Sequence, residues 1–448
     1  MAPRIRASGS PVKNFFIRMV TRDISLQDCI LDLLDNCLDG VHRRAKATLS
    51  RTSQQEYVGY EAKISMAEER FEIVDNCGGI SIENARDYAF HFGRRPDAPP
   101  DGNFTIGLYG IGMKRAILKM GNRITVTSST DDESFVVQID VPFWESKSDD
   151  WDFDMQVSGP TENAGTKIVI EEFNEGIGLE FKDSVFVNRI VQTIARDYSF
   201  FLQEGFRVVV NGEEVRPYLF KLRKSPAFVP VRIDYEDEVH REVSISISAG
   251  MAALPPEDES AESQALQMPE VAYYGWFVSC NDRIVLAGNK DERTVWGNEG
   301  FTRWHPQYNG FMGILAFCSS DPTKLPWTTT KRDLDTTDPI YRRAIVKMKS
   351  VTQQYVDYTT ARKADLEKAK EAEKVTEAVP VKQLQIHPDM KFPSIERKKA
   401  AVKMTGIQYT KPEPQVRRVA EALGNRWMSN REVGIRTFDY FCENEIEE

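Results

Sequence analysis

Over residues 25–41 the apolar side chains Leu26, Ile30, Leu33, Cys37 and Val41 recur at three- and four-residue intervals. That is the period of a helix with one buried stripe. Ser25 stands where an N-cap belongs, and Asp28 falls in the first turn, facing the positive end of the helix dipole. The opposite edge carries Asp32, Asn36 and Asp39. Segments 60–66 and 70–75 alternate and predict paired strands, the second ending at Val74-Asp75. A turn and a Pro- and Gly-rich stretch over 92–102 follow, expected to be mobile. Gly107, Gly110 and Gly112 then lead into a helical stretch over 113–120. Further strands are predicted at 123–130, 134–142 and 166–171, and a helix over 184–203. A strand at 206–210 runs into Asn211-Gly212, the dipeptide of a tight hairpin.

A second αβ region is expected from about 216 to 350, with strands at 273–279, 283–287 and 311–318. Its acidic insertion, 255–263, has the composition of a solvated loop. From Pro339 to about Lys374 the pattern predicts one long helix, charged in its second half. A linker with Pro380 and Pro388 precedes two short helices, about 413–423 and 430–442. The expected organisation is a flexible arm (1–13), a first domain (14–215), a second αβ domain (216–350), a helix and linker (351–390), and a basic linker with a small helical region (391–448).

Composition narrows the class. The 448 residues are 41% hydrophobic and 28% charged, ordinary for globular domains. The net charge of −10 gives no overall basic field toward nucleic acid or an anionic membrane. Six scattered cysteines without a C-x-x-C pair argue against a disulfide framework. No signal peptide is legible, and no apolar run approaches the roughly 20 residues that span a bilayer. A cytoplasmic protein without a membrane partner is expected.

Asp32 and Asn36 share a helix face, where a carboxylate and an amide oxygen can serve as general base and hard-cation ligand. Alone, such a pair is more often a solvated face. Asp75 ends a strand and precedes Asn76-Cys77-Gly78-Gly79. It could accept the exocyclic amine of a purine, although a turn with an Asp cap is the commoner origin of that string. The run Gly107-Leu-Tyr-Gly110-Ile111-Gly112-Met113-Lys114 can wrap backbone N–H groups around phosphate oxygens at a helix N-terminus. It lacks P-loop spacing, and a structural turn is the plainer alternative.

Together and in this order, these elements resemble the GHKL (Bergerat-fold) ATPases: gyrase B, heat-shock chaperones, MutL, sensor kinases and the MORC proteins. The likeness covers about 14–350. It implies an α+β fold, with a Bergerat sandwich (a mixed sheet with helices on one face), then an αβ transducer domain and a helical tail. It also implies ATP and Mg²⁺. Asp32 would be the base, Asn36 the metal ligand and Asp75 the adenine acceptor beside Gly79. Gly107, Gly110, Ile111, Gly112, Met113 and Lys114 would surround the phosphates, under a lid over 92–112. Thr166 would hold adenine through water. Lys331, in Leu325-Pro-Trp-Thr-Thr-Thr-Lys331, would reach the γ-phosphate from the second domain. The run from Gly275 to Lys331, including His305-Pro-Gln-Tyr-Asn-Gly310, looks most like the MORC branch, with His305 itself read as a loop residue.

Two departures carry weight. The hydrolysing members have Glu where this chain has Asp32, shorter by one C–C bond, about 1.5 Å, so turnover is expected to be slow. Cys77 replaces a motif glycine and is expected to narrow the adenine side. The family likeness further implies a homodimer when ATP is bound, with residues 1–15 as an exchanged arm. The alternative is a scaffold that binds ATP with little hydrolysis and docks a protein through the C-terminal helices. A sensor kinase is disfavoured, because none of His42, His91, His240, His305 or His387 lies in a helical pair upstream. DNA is a candidate client through Lys391, Arg397, Lys398, Lys399, Lys403, Lys411, Arg417 and Arg418, although a solvated linker face accounts for them more simply.

Overall fold

The long amphipathic stripe forms the helix Leu26–Ala45, and Ser25 caps it, its Oγ accepting the Asp28 amide at 3.1 Å. The computed structural model describes residues 12–45, 57–93, 104–107, 110–147, 150–257, 272–328, 330–395 and 406–445. Ile30, Leu33, Leu34, Leu38 and Val41 are buried, as the pattern requires. The polar edge is buried too: Asp32, Asp35 and Asp39 are each almost inaccessible. Asn36, on the same edge, is half-buried.

The first sheet contains β1 (Glu61–Met66), β2 (Arg70–Asp75), β3 (Gly121–Ser129), β4 (Ser134–Asp140), β5 (Met155–Ser158), β6 (Gly165–Phe173), β7 (Arg207–Val210) and β8 (Glu213–Glu214). Their spatial order is β5-β4-β3-β6-β2-β1-β7-β8. The sheet is mixed, since β7 joins β1 in parallel while β2 pairs β1 and β6 antiparallel. Ile64, Ile73, Val126 and Ile170 share one apolar core with the helices Leu26–Ala45, Gly112–Met120 and Ser184–Asp197. Asn211-Gly212 makes the predicted hairpin, both residues at positive φ between β7 and β8.

The first region departs from expectation in several places, among them the unpredicted helices Lys13–Thr21 and Ile177–Lys182. Strand β4 stops at Asp140, whose side chain caps the helix Val141–Ser146 through the Phe143 amide at 3.0 Å. Pro142 in that first turn fits a helix start better than a strand. The helix over 184–203 is interrupted at Tyr198, which has φ −108° and ψ 13°. Strand β5 was not legible in the sequence.

The second region holds β9 (Lys221–Lys224), β10 (Val231–Glu236), β11 (Val243–Met251), β12 (Gly275–Cys280), β13 (Arg283–Asn289), β14 (Phe311–Ser319) and β15 (Glu377–Pro380). Five of these form a sheet in the order β10-β11-β14-β12-β13, with β12 parallel to β14. The helix Pro339–Ala361 packs on it through Tyr341, Met348 and Tyr355. The single helix predicted to Lys374 breaks at Asp365, which caps a separate helix, Leu366–Lys374. The stretch around Pro380 and Pro388 is tied down and is not a free linker: β15 pairs with β9, and His387 and Lys391 bridge to Arg232 and Val229.

Both sheets belong to one compact unit ending at Glu396, and a second unit begins at Arg397. In the second unit the helices Glu413–Ala422 and Asn430–Glu445 enclose a small core of Ala420, Met428 and Val433. Among the described residues no helix is long and apolar enough to cross a membrane.

Candidate functional site

The helix Leu26–Ala45 places Asp32, Asp35, Asn36 and Asp39 on one face, because residues three and four apart are neighbours on a helix. Asp32 is 3% exposed. Its Oδ2 accepts from Arg115 Nε at 2.8 Å and lies 2.7 Å from Arg115 Nη2. Its Oδ1 lies 4.0 Å from the Lys331 ammonium. Gly112 lies directly against it: a Cβ at Gly112 would sit 3.4 Å from the Asp32 carboxyl carbon. Burial raises the Asp32 pKa above its ordinary value, outweighing the pull of Lys331 and Arg115.

Asp35 is the hub of the face. Its Oδ1 accepts from the Tyr198 hydroxyl at 2.6 Å and Arg283 Nε at 3.1 Å, and its Oδ2 accepts from Lys331 at 3.0 Å. Burial alone would raise its pKa, but Lys331, Arg283 and the Tyr198 hydrogen bond together hold it below the ordinary range. Asp39 fixes the start of the glycine run, accepting from the Ile106 and Gly107 amides at 2.6 Å each. Burial pushes its carboxyl up to about 6. Between these residues, Nδ2 of Asn36 is buried with no hydrogen-bond partner among the described residues.

Asp75 ends β2 next to the start of β6, so its Oδ1 accepts from the Cys77 amide at 2.8 Å and the Thr166 amide at 3.3 Å. Burial raises its pKa. Gly79 adopts φ +71°, and a Cβ there would lie 2.0 Å from the Ser129 carbonyl oxygen, so glycine is required by conformation and by space. Ser128 joins the group: its Oγ is 3.0 Å from Thr166 Oγ1 and accepts from the Ile80 amide at 2.8 Å. Cys77 is buried in the hydrophobic core, and a Cβ at Gly40 would lie 2.8 Å from its carbonyl oxygen. Its thiol lies beside Asp75, and burial together with that carboxylate pushes its pKa up.

In the glycine run, Gly110 has φ +62°, and among the described residues no side chain caps the helix Gly112–Met120, for which Ile111 is the N-cap residue. Its first N–H groups are thus available to an anion without displacing a cap. Met113 is half-buried against the core. Lys114 is buried. Its Nζ donates to the Ala89 carbonyl at 2.7 Å, and burial lowers its pKa to about 7. Residues 94–103, Leu108 and Tyr109, which make up most of the expected lid, lie outside the described residues, as do residues 1–11 of the arm.

Lys331 comes from the loop after β14, at φ +55° and 6% exposed. Burial would lower its pKa, but Asp35, Asp32 and Asp39 together raise it. It is one of several cross-links between the two sheet regions. Arg332 pairs with Asp28 and lies 3.0 Å from Asp197. Arg283 stacks 4.2 Å from the Tyr198 ring centroid, and Asn281 Nδ2 donates to the Thr105 carbonyl at 3.3 Å. Sequence reasoning did not single out Asp35, Arg115, Tyr198 or Arg283. Asp35 and Arg115 adjoin motif residues, whereas nothing local marks Arg283.

Other candidates disperse. His305 caps a short turn, Nδ1 accepting from the Gln307 amide at 3.3 Å. Of the basic residues, Lys391 belongs to the first unit and Lys411, Arg417 and Arg418 to the second, while Arg397, Lys398, Lys399 and Lys403 lie outside the described residues. No group of three or more His, Cys, Asp or Glu among the described residues is placed to hold a metal ion.

A comparison with curated proteins finds no match for this chain. Residues 24–171 match a family model described as histidine kinase-, DNA gyrase B-, and HSP90-like ATPase. The match runs from just before the acidic helix nearly to the end of β6, and so spans Asp32, Asp35, Asn36, Asp39, Asp75, Arg115 and Thr166 but not Tyr198, Arg283 or Lys331. It supports assigning this part of the chain, with the mixed sheet and helices that carry Asp32, Asn36, Asp75 and the glycine run, to the GHKL-type ATPase family and to ATP binding.

Proposed function

We propose that the chain binds ATP with Mg²⁺ at this constellation and hydrolyses it slowly, using the nucleotide to gate a homodimer. One observation carries the reading: the Asp32 carboxylate lies against Gly112, at the uncapped N-terminus of the helix Gly112–Met120, with Lys331 Nζ 4.0 Å away. A carboxylate base, a helix dipole and a lysine from a second region meet at one point, as phosphoryl transfer requires. In this reading the adenine amine donates to Asp75, and Thr166 and Gly79 border the base. The phosphates take the N–H groups at and just before the helix start, within Gly110, Ile111, Gly112 and Met113, while Gly107 holds the run in place through its amide on Asp39.

The atom of Asn36 buried without a partner among the described residues is the donor Nδ2, and Asn36 would offer its amide oxygen to Mg²⁺, an ion that keeps most of its water and needs few protein groups. Bound there, it would neutralise phosphate charge. In the reaction the water oxygen bonds to the γ-phosphorus and the bond to the β-bridging oxygen breaks, its electron pair leaving with ADP. The water proton passes to Asp32, whose burial-raised pKa suits a base. Lys331 offsets charge on the transferred group. Since Lys331 is already paired with Asp35, an incoming phosphate competes for it, and the contest links nucleotide state to Arg283 and the second sheet.

Titration calorimetry with ATP and Mg²⁺ tests binding, with Asp75→Asn expected to abolish it. Phosphate release tests chemistry: Asp32→Ala is expected to remove it, and an unchanged rate would strip Asp32 of the role. Gel filtration with ATP, ADP and a non-hydrolysable analogue tests gating, and identical profiles in all three would reject it. A second reading, an ATP-dependent scaffold with little turnover, is favoured by the short side chain of Asp32, and equal ATP affinity with negligible phosphate release would select it. The MORC-like run from Gly275 to Lys331 makes DNA the client to test first, with turnover measured with and without a duplex. A protein docked on the C-terminal helices is the alternative client, and the cytoplasm the proposed location.

A further inference from the structure

Arg115 lies one residue past Lys114 and is 8% exposed. Its guanidinium aims two nitrogens, Nε at 2.8 Å and Nη2 at 2.7 Å, at one oxygen of Asp32, Oδ2. The other oxygen, Oδ1, is left on the side of Lys331. A free carboxylate rotates about its Cβ–Cγ bond and exchanges its two oxygens, so a fork on Oδ2 removes that freedom. The fork is also carried by the helix Gly112–Met120, whose first turn abuts the same carboxyl group. Any element that positions the phosphates on this helix N-terminus therefore positions the base with them.

The geometry points to Arg115 as the positioning residue of the hydrolytic base, holding Asp32 by Oδ2 so that Oδ1 is the atom that takes the water proton. The inference rests on the ATPase reading above and specifies which atom acts. It also offers a physical answer to the short side chain: an aspartate reaches about 1.5 Å less far than a glutamate, so the carboxylate depends more on being held against the phosphate-binding helix. A misplacement of about 1 Å costs on the order of 10²-fold in rate, and loss of the fork is expected to act on that scale. The groups that face Asp32 are Arg115 from the helix Gly112–Met120, Lys331 from the loop after β14, and Asp35 and Cys29 from its own helix.

The test is a double-mutant cycle on the full chain with Asp32→Asn, Arg115→Ala and both together, reading phosphate release, its pH profile and affinity for a non-hydrolysable ATP analogue. Arg115→Ala is expected to lower kcat about 10²-fold while analogue affinity changes little. The acid limb of kcat should move to higher pH, because one cation has been taken from a buried carboxylate. In the Asp32→Asn background the same substitution should have no further effect on kcat. Guanidinium added to the Arg115→Ala protein should restore part of the rate. If Arg115→Ala does not fold, Arg115→Lys replaces it, keeping the charge but not the fork, and a lowered kcat with retained analogue affinity is again expected. An unmoved kcat and pH profile in a folded variant, or an additive loss in the cycle, overturns the positioning role. Absence of turnover in the unsubstituted protein, with analogue binding intact, overturns the hydrolytic reading along with it.

Discussion

Lys331 Nζ donates to Asp35 Oδ2 at 3.0 Å across 296 positions of sequence. Both groups are buried, so their charges are stable there only because each has the other, with Arg283 and Tyr198 completing the set around Asp35. The contact joins the acidic helix of the first sheet region to a loop of the second.

Lys331→Met keeps the length of the side chain and removes the cation. Breaking a buried ion pair by deleting one partner costs about 3–5 kcal/mol, and a loss of that order should appear in urea unfolding of the substituted chain. Phosphate release should fall by roughly 10²–10³-fold, the scale of one lost transition-state donor. Turnover at the unsubstituted rate in a folded variant would remove Lys331 from the site.

Two neighbouring groups oppose each other in pH dependence. Asp39 is raised by burial to about 6, so between its unfolded value near 4 and pH 6 the native state holds the extra proton and stability falls as pH rises. His42 is lowered by burial to about 4, so between pH 4 and its unfolded value near 6.5 the unfolded state holds the extra proton and stability rises with pH. Each contribution is on the order of 3 kcal/mol, and they cancel over the same window. The unsubstituted protein should therefore show little change from these two groups between pH 4 and 6. His42→Gln should uncover a decline in stability with rising pH, measurable by denaturation at several pH values.

Gly165→Ala tests the junction between β2 and β6. A Cβ at Gly165 would lie 2.0 Å from the Asp75 carbonyl oxygen and 3.0 Å from Asn76 Cα, and backbone cannot rotate out of the way. The strand ends must part, moving Asp75 from the Thr166 amide. Nucleotide affinity should fall by about tenfold or more, with overpacking costing about 1–3 kcal/mol of stability. Calorimetric titration and thermal unfolding measure the two effects.

Arg362 and Glu373 form a buried pair in the helices that follow the second sheet, Nε to Oε1 at 2.8 Å and Nη2 to Oε2 at 2.9 Å. Arg362→Met alone strands a buried carboxylate and should cost about 3–5 kcal/mol, whereas Arg362→Met with Glu373→Leu should recover most of it. Chemical denaturation of the three variants decides this, and equal losses in the single and double variants would contradict it.

Much of the site was legible because it is local. Asp32, Asn36 and Asp39 follow from helix period, and Asp75 from a strand end. The glycines at 107, 110 and 112 follow from the demands of a turn before a helix. Strands β10 and β11 went unpredicted although Val243, Ile245 and Ile247 alternate with Ser244, Ser246 and Ser248, a half-buried pattern visible once sought. The break at Tyr198 had no such signal. An apolar helical stretch is interrupted where the ring stacks under Arg283 and its hydroxyl reaches Asp35 and the Leu31 carbonyl.

What the sequence determined by itself is therefore the set of elements and the faces they present, because periods of 3.6 and 2 are properties of a chain segment alone. Tertiary structure decided which polar groups are buried and whom they meet. Asp35 and Asp39 look alike in sequence, yet one takes Lys331, Arg283 and Tyr198 while the other takes two backbone amides. Lys114 and Arg115 are adjacent, yet the first turns to the Ala89 carbonyl and the second grips Asp32. Hydrogen bonds and ion pairs act over about 3 Å, and only the packing of distant segments brings such groups within that reach.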